Sequence, residues 1–223
     1  NPMSGKLLAL ACVLWAVARI GFLLPWETAF WIAMTSELAF FLLGSSAMLR
    51  AVVISKNSRN YAVPGLLAGL GAMDALYLLT ARGGDYLLLM QRFNAGLVVM
   101  ALIALLIGRR VIPFFAMRAV HELSLPKQTE TGWVQLGACA VGVLGLLLGQ
   151  PMPTAFGLGL AGVLAIVHIV SWKPWAVRSN ALLWILYVGY AGVGIGLMLA
   201  AWAQVGLALP RALPVHTIAM AGF

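Results

Sequence analysis

The side chains best suited to chemistry in this chain are few: three histidines, and a handful of ionisable groups set in apolar surroundings. His216 opens the segment "PVHTIAMAGF", and His168 lies one turn before the end of an apolar run, beside Trp172. Neutral imidazole inside a membrane helix can serve as an axial haem ligand or a copper ligand. That makes His216 the first candidate for cofactor and metal binding and His168 the second. His121 shares a polar stretch with Glu122, Lys127 and Glu130 and reads as solvated. Arg19, Glu37 and Asp74 fall inside long apolar runs, where ionisable groups are costly and point to function by default. They could line a proton or ion path or brace a buried cofactor. The plainer reading is structural pairing of Arg19 with Glu37 or Asp74. Arg92, with Gln91 and Asn94, reads as an arginine snorkelling to an interface. No clustered His/Cys spacing, nucleophile motif or phosphate loop is visible. "GLGLAG", Gly157 to Gly162, matches G-x-G-x-x-G but follows no strand, so it reads as helix packing.

The elements that must position these groups follow from composition. The 223 residues are 63% hydrophobic and 9% charged, against roughly 45–50% apolar and about 25% charged in soluble domains. A polytopic membrane protein is implied. The net charge of +8 is spread over scattered Lys and Arg with no soluble domain to present it, which excludes nucleic acid as a partner and leaves membrane lipids. Cys12 and Cys139 both lie in apolar runs, so no disulfide framework is expected. Nothing at the start reads as a signal peptide.

A spanning helix takes about 20 mainly apolar residues. Such runs occur at Leu7–Leu24, Thr28–Leu49, Tyr61–Ala81, Tyr86–Ile107, Trp133–Gly149, Thr154–Trp172 and Ala181–Ala203. The expected fold is all-α: a polytopic transmembrane helix bundle with seven complete spans and the start of an eighth at Pro214. Both ends of the chain fall in loop-like or apolar sequence, so an internal piece of a longer protein is expected. Lys6, Arg50, Lys56, Arg59, Arg109, Arg110, Arg118, Lys127, Lys173 and Arg178 fall on one side, and only Arg82 and Arg211 on the other. By the positive-inside rule the richer side, with the N-terminal edge, is cytoplasmic, and residues 109–130 form its longest loop. Arg19 is expected to face the bundle interior. His216 and His168 then fall near opposite faces, roughly 30 Å apart, too far to share a metal. Gly65/Gly69, Gly145/Gly149 and Gly192/Gly196 have the G-x-x-x-G spacing that lets membrane helices approach closely.

"GRRVIPFF" (Gly108 to Phe115), "LLWILYVGYA" (Leu182 to Ala191) and "HTIAMAGF" (His216 to Phe223) resemble the NnrS family in order and spacing, as do the start "NPMSGKLLALACVLWAVARIG" and the basic "SKNSRN". The resemblance covers essentially the whole chain, and Arg110, Pro113, Phe114, Phe115, Trp184, Gly189 and Tyr190 carry its signature. It implies a bacterial inner-membrane protein of about twelve helices, containing haem and copper and acting in the response to nitric oxide. Residues 1–223 would form a single transmembrane domain, the central part of that fold, and His216 would occupy the family's H-x-x-x-x-x-G position. Tyr187 stands where the family usually has the His of L-H-x-G-Y, and Leu78 where a His often closes the third helix. Those departures imply changed ligation.

Two functions from different classes compete at this point. One is a haem- and copper-binding protein that relieves nitric-oxide or nitrosyl-iron stress. The other is a transporter or proton-conducting bundle using Glu37, Asp74 and Arg19. Neither the catalytic or sensing character of the activity nor a protein partner is named by the sequence.

Overall fold

A computed structural model describes residues 4–57, 60–126, 130–206, 210 and 212–223. Its helices are α1 (Lys6–Phe22), α2 (Glu27–Ile54), α3 (Ala62–Gly83), α4 (Tyr86–Ala119), α5 (Glu130–Leu147), α6 (Pro151–Ser171), α7 (Ala181–Gln204) and α8 (Ala212–His216), which continues as a π-helical turn over Thr217–Gly222. No strand occurs among the described residues. Local chemistry sets several ends. Asp85 Oδ1 accepts the Leu88 N–H at 3.0 Å and Asn180 Oδ1 the Leu183 N–H at 3.3 Å, capping α4 and α7. Pro151 opens α6, and Gly84 closes α3 with φ of 74°.

Six helices, α2 to α7, are long and apolar enough to cross a membrane. The expected count of seven is reduced because α1 has 17 residues, about 25 Å at 1.5 Å per residue. The larger correction concerns α4. It does not stop at Ile107 but runs 34 residues to Ala119, through Arg109, Arg110 and Pro113. The expected loop 109–130 therefore begins only after Ala119. Arginine is a good helix former, and Pro113 removes a single helical bond, the one its nitrogen would donate to the Arg109 carbonyl. Lys127, Arg59 and Arg211, used in the charge count, lie outside the described residues.

The chain divides into two compact units, Asn1–Gly96 and Leu97–Phe223, with the boundary inside α4. In the first unit α1 packs on α2 and α2 on α3. A Cβ on Gly21 of α1 would stand 2.8 Å from the Ala33 Cβ, and one on Gly71 of α3 would stand 2.7 Å from the Phe41 Cβ. Small residues at these crossings let the backbones meet. The Ser45 hydroxyl donates to the Pro64 carbonyl across α2 and α3. Arg82, at the end of α3, donates to Glu27 Oε1 at 3.0 Å and lies over the rings of Phe30 and Trp31.

In the second unit α6 packs against both α5 and α7. Gly142 and Gly157 bring α5 and α6 together, Gly162 and Gly194 do the same for α6 and α7, and Gly192 and Gly196 receive the π-helical turn at Ala221 and Ile218. "GLGLAG" is thus part of α6 and contributes its Gly157 and Gly162 to helix contacts. Of the three G-x-x-x-G pairs only Gly192/Gly196 packs with both members. Gly65 and Gly69 face open space, and Gly149 turns the chain after α5 with φ of 65°.

Candidate functional site

The first unit holds the charged group expected from sequence. Arg19 Nη2 pairs with Glu37 Oε1 between α1 and α2. The Arg19 side chain is 46% exposed, so it does not face a bundle interior as expected; only Glu37, 13% exposed, is well covered. Asp74 lies within electrostatic reach of both, yet its Oδ2 is buried without a hydrogen-bond partner. The guanidinium takes Glu37 in preference to Asp74. Leu78 belongs to α3, one turn beyond Asp74.

The second unit contains a polar and aromatic layer that the sequence did not announce as a set. His168, fully buried near the end of α6, engages both ring nitrogens: Nδ1 lies 3.2 Å from the Tyr190 hydroxyl and Nε2 3.0 Å from the Thr131 hydroxyl. Tyr190 lies 3.2 Å from Gln135 Oε1, and Gln135 Nε2 donates to the Ala161 carbonyl at 3.1 Å. The proton positions follow by elimination. Amide oxygen only accepts, so Tyr190 donates to Gln135; Tyr190 then accepts from His168 Nδ1–H, and Nε2 accepts from Thr131. The chain of donors runs Thr131, His168, Tyr190, Gln135, Ala161. It ends on a backbone carbonyl and an amide, groups that cannot pass a proton on, so it clamps α5, α6 and α7 and carries no proton path.

Aromatic rings complete the layer. Trp172, fully buried, stacks on His168 at 5.7 Å between ring centroids and meets Tyr190 edge-on at 5.1 Å. Tyr187 donates to the Trp172 carbonyl at 3.0 Å. The residue standing where relatives are expected to have a histidine is therefore a buried structural hydroxyl. Gly108 of α4 lies against the Tyr190 ring, and the Arg109 guanidinium passes over Gly132 of α5 toward Trp133, 5.9 Å from that ring's centroid. Arg109 Nη1 and Trp172 Nε1 are buried with no hydrogen-bond partner.

His216 has the opposite character. It is exposed at the start of the π-helical turn, and no hydrogen bond engages its side chain among the described residues. The turn runs antiparallel to α7, with Ile218 against Gly196 and Ala221 against Gly192. This places His216 level with the region of Met198, whereas His168 is level with Tyr190. Eight helical residues correspond to an axial offset of about 12 Å along α7. The two imidazoles still lie too far apart to share one metal. His121 is fully solvated beside Glu122. Cys139 is buried and Cys12 exposed, both free.

The remaining signature residues fall at the surface or in helix contacts. Phe114 and Phe115 pack edge-to-face at 5.4 Å on the exposed side of α4, with Arg118 over Phe114. Arg110 and Pro113 lie in the same helix. Trp184 is exposed, and a Cβ on Gly189 would come 3.3 Å from the Gly222 carbonyl oxygen. Sequence reasoning counts Arg109 only among the basic residues of the cytoplasmic side and gives no role to Thr131, Gln135 or Trp172. One signal was available: Thr131/Gln135, His168/Trp172 and Tyr187/Tyr190 each recur at i+3 or i+4, which puts each pair on one helix face.

An all-helical membrane protein with a hydrogen-bonded polar layer buried among apolar helices is the class these features define. The chain belongs to the NnrS family: the profile described as NnrS protein matches residues 1–223, the whole chain. No curated protein and no solved structure matches it.

Proposed function

We propose that the chain acts within a haem- and copper-containing membrane protein that relieves nitric-oxide or nitrosyl-iron stress. The observation that carries this reading is the family match over residues 1–223. Its residues fit haem unequally. His216 offers an exposed, unengaged imidazole and is the side chain we assign as an axial ligand. His168 has both nitrogens committed to hydroxyls and must break one bond to bind a metal. Among the described residues no group of three His, Cys, Asp or Glu is placed to hold a metal ion. A copper site built on His216 would therefore draw its further ligands from outside those residues. Bound haem iron supplies reversible ligand coordination and one-electron chemistry. What this chain supplies is a ligand at His216 and a helix carrying small and apolar residues, from Ile218 to Gly222, that can lie along a flat ring.

In the same reading residues 1–223 form one transmembrane domain of the bacterial inner membrane, at the centre of a longer family fold. α1 crosses as well, giving seven crossings in all, and the N-terminal edge is cytoplasmic, on the strength of the basic-residue asymmetry.

The test is the absorption spectrum of the detergent-purified protein, with pyridine haemochrome and metal analysis, for wild type and His216→Ala. A Soret band and stoichiometric haem that drop in His216→Ala are expected. Unchanged haem content and spectrum in His216→Ala would remove that ligand assignment, and the absence of haem and copper from wild type would overturn the reading.

A further inference from the structure

Among the described residues no carboxylate pairs with Arg109. None of the ion pairs Arg19–Glu37, Arg82–Glu27 and His121–Glu122 involves Arg109. The carboxylates of its own unit are Glu122, exposed beside His121, and Glu130, exposed at the start of α5. Its interaction with Trp133 is a cation–π contact, which satisfies charge in part and leaves Nη1 buried without an acceptor. A buried donor left unmade costs about 1–3 kcal/mol, more when charged. A second donor, Trp172 Nε1, is stranded in the same layer. The two flank one pair of residues: Trp172 stacks on His168 and meets Tyr190, while Arg109 lies within electrostatic reach of both.

Each acceptor of that layer already receives one donor. Gln135 Oε1 accepts from Tyr190, the Ala161 carbonyl from Gln135 and the Trp172 carbonyl from Tyr187. No acceptor of the layer is directed at Arg109 Nη1 or Trp172 Nε1. What is missing is an incoming group rich in acceptor oxygens and negatively charged. A guanidinium fork matches a planar pair of oxygens, and an indole N–H adds one more donor without charge.

We propose that Arg109 and Trp172 form a receiving site for one carboxylate or planar oxoanion group within the α4–α7 layer. Gly132 is part of the site, because the guanidinium reaches its place only where α5 has no Cβ. The group has two possible sources: a small free anion, or a propionate carboxylate of a porphyrin. The porphyrin source rests on the haem reading above; the free-anion source does not.

The experiment uses the detergent-purified protein with nitrogen-labelled tryptophan, and reads the Trp172 indole N–H resonance, assigned by its loss in Trp172→Phe. Haem-free protein is titrated with sodium acetate and with sodium nitrite against sodium chloride at equal ionic strength. A saturable shift that weakens about tenfold in Arg109→Gln and in Gly132→Ala is expected, the scale of one charge-assisted hydrogen bond. That result supports the site with a free anion. Haem and haem dimethyl ester are then compared by binding titration. Haem binding about tenfold tighter than the ester in wild type, and equally in Arg109→Gln, supports the site with propionate as its source. Absence of both effects in protein that melts cooperatively overturns the proposal. Where neither haem form binds, the haem reading falls and the acetate and nitrite titrations alone decide this site. If Arg109→Gln does not fold, Arg109→Lys, which keeps the charge but lacks the planar fork, and Gly132→Ala replace it with the same expected losses.

Discussion

The Arg109 side chain crosses α5 at Gly132, occupying the volume that a Cβ there would fill. A glycine on one helix thus decides whether an arginine on another can lie inside the bundle. The two positions are linked by shape before any charge is considered.

Gly132→Ala should force the guanidinium out of its place. The expected cost is about 1–3 kcal/mol, typical of overpacking, read as a lowered thermal midpoint in detergent. Shortening the obstacle should restore it, so the Arg109→Ala/Gly132→Ala pair is expected to melt above Gly132→Ala alone. Equal melting of wild type and Gly132→Ala would show that the side chain lies elsewhere.

The Tyr190–Gln135 hydrogen bond clamps α7 to α5 inside the apolar layer. Hydrogen bonds between membrane helices are worth about 0.6–2 kcal/mol. Tyr190→Phe and Gln135→Leu should therefore each destabilise, and the double variant should lose less than the sum by that amount. Strict additivity in the cycle would mean that the contact is not formed in the membrane.

Arg19 and Glu37 pair across α1 and α2. An unpaired charge at such depth costs about 2.5–3.5 kcal/mol on the insertion scale, reduced here because Arg19 is partly exposed. Arg19→Ala alone is expected to lower the yield of folded protein, and Arg19→Ala/Glu37→Gln to recover part of it. No recovery in the double variant would count against a pair that stabilises the unit.

A buried and an exposed glycine separate packing from propensity. A Cβ on Gly157 would run into the Ala138 carbonyl and Gly142, whereas one on Gly137 meets open space. Gly157→Ala should destabilise, while Gly137→Ala should be neutral or stabilising by up to about 1 kcal/mol through helix propensity. The reverse order of thermal midpoints would refute the α5–α6 contact.

Orientation is open to cysteine labelling in intact cells after Cys12→Ala and Cys139→Ala. Cysteines at Lys56 and Lys173 should both react only when the cytoplasmic side is made accessible, and one at Asp85 should react from outside. Labelling of the Lys56 and Lys173 positions from opposite faces would break the alternation of the spans.

The elements of this chain were legible in sequence because hydropathy is additive along a segment: each long apolar run became a helix, within a few residues for α3, α6 and α7. The end of α4 was not, since Arg109, Arg110 and Pro113 each read as a stop, and only neighbouring helices can keep such residues in a continuing one. The resemblance carried by "GRRVIPFF" and "HTIAMAGF" was likewise available from residues alone, and it is the family that the whole chain matches. The partners of individual side chains were not. His168 reads as a metal ligand until Thr131, some 37 positions earlier, and Tyr190, 22 positions later, are brought to its two nitrogens. Arg109 reads as one more basic residue of the cytoplasmic side until Gly132 admits it to the bundle. Periodicity fixes which face of a helix is apolar, a local property. Which polar atoms find acceptors depends on how several helices pack, and only the tertiary structure decides it.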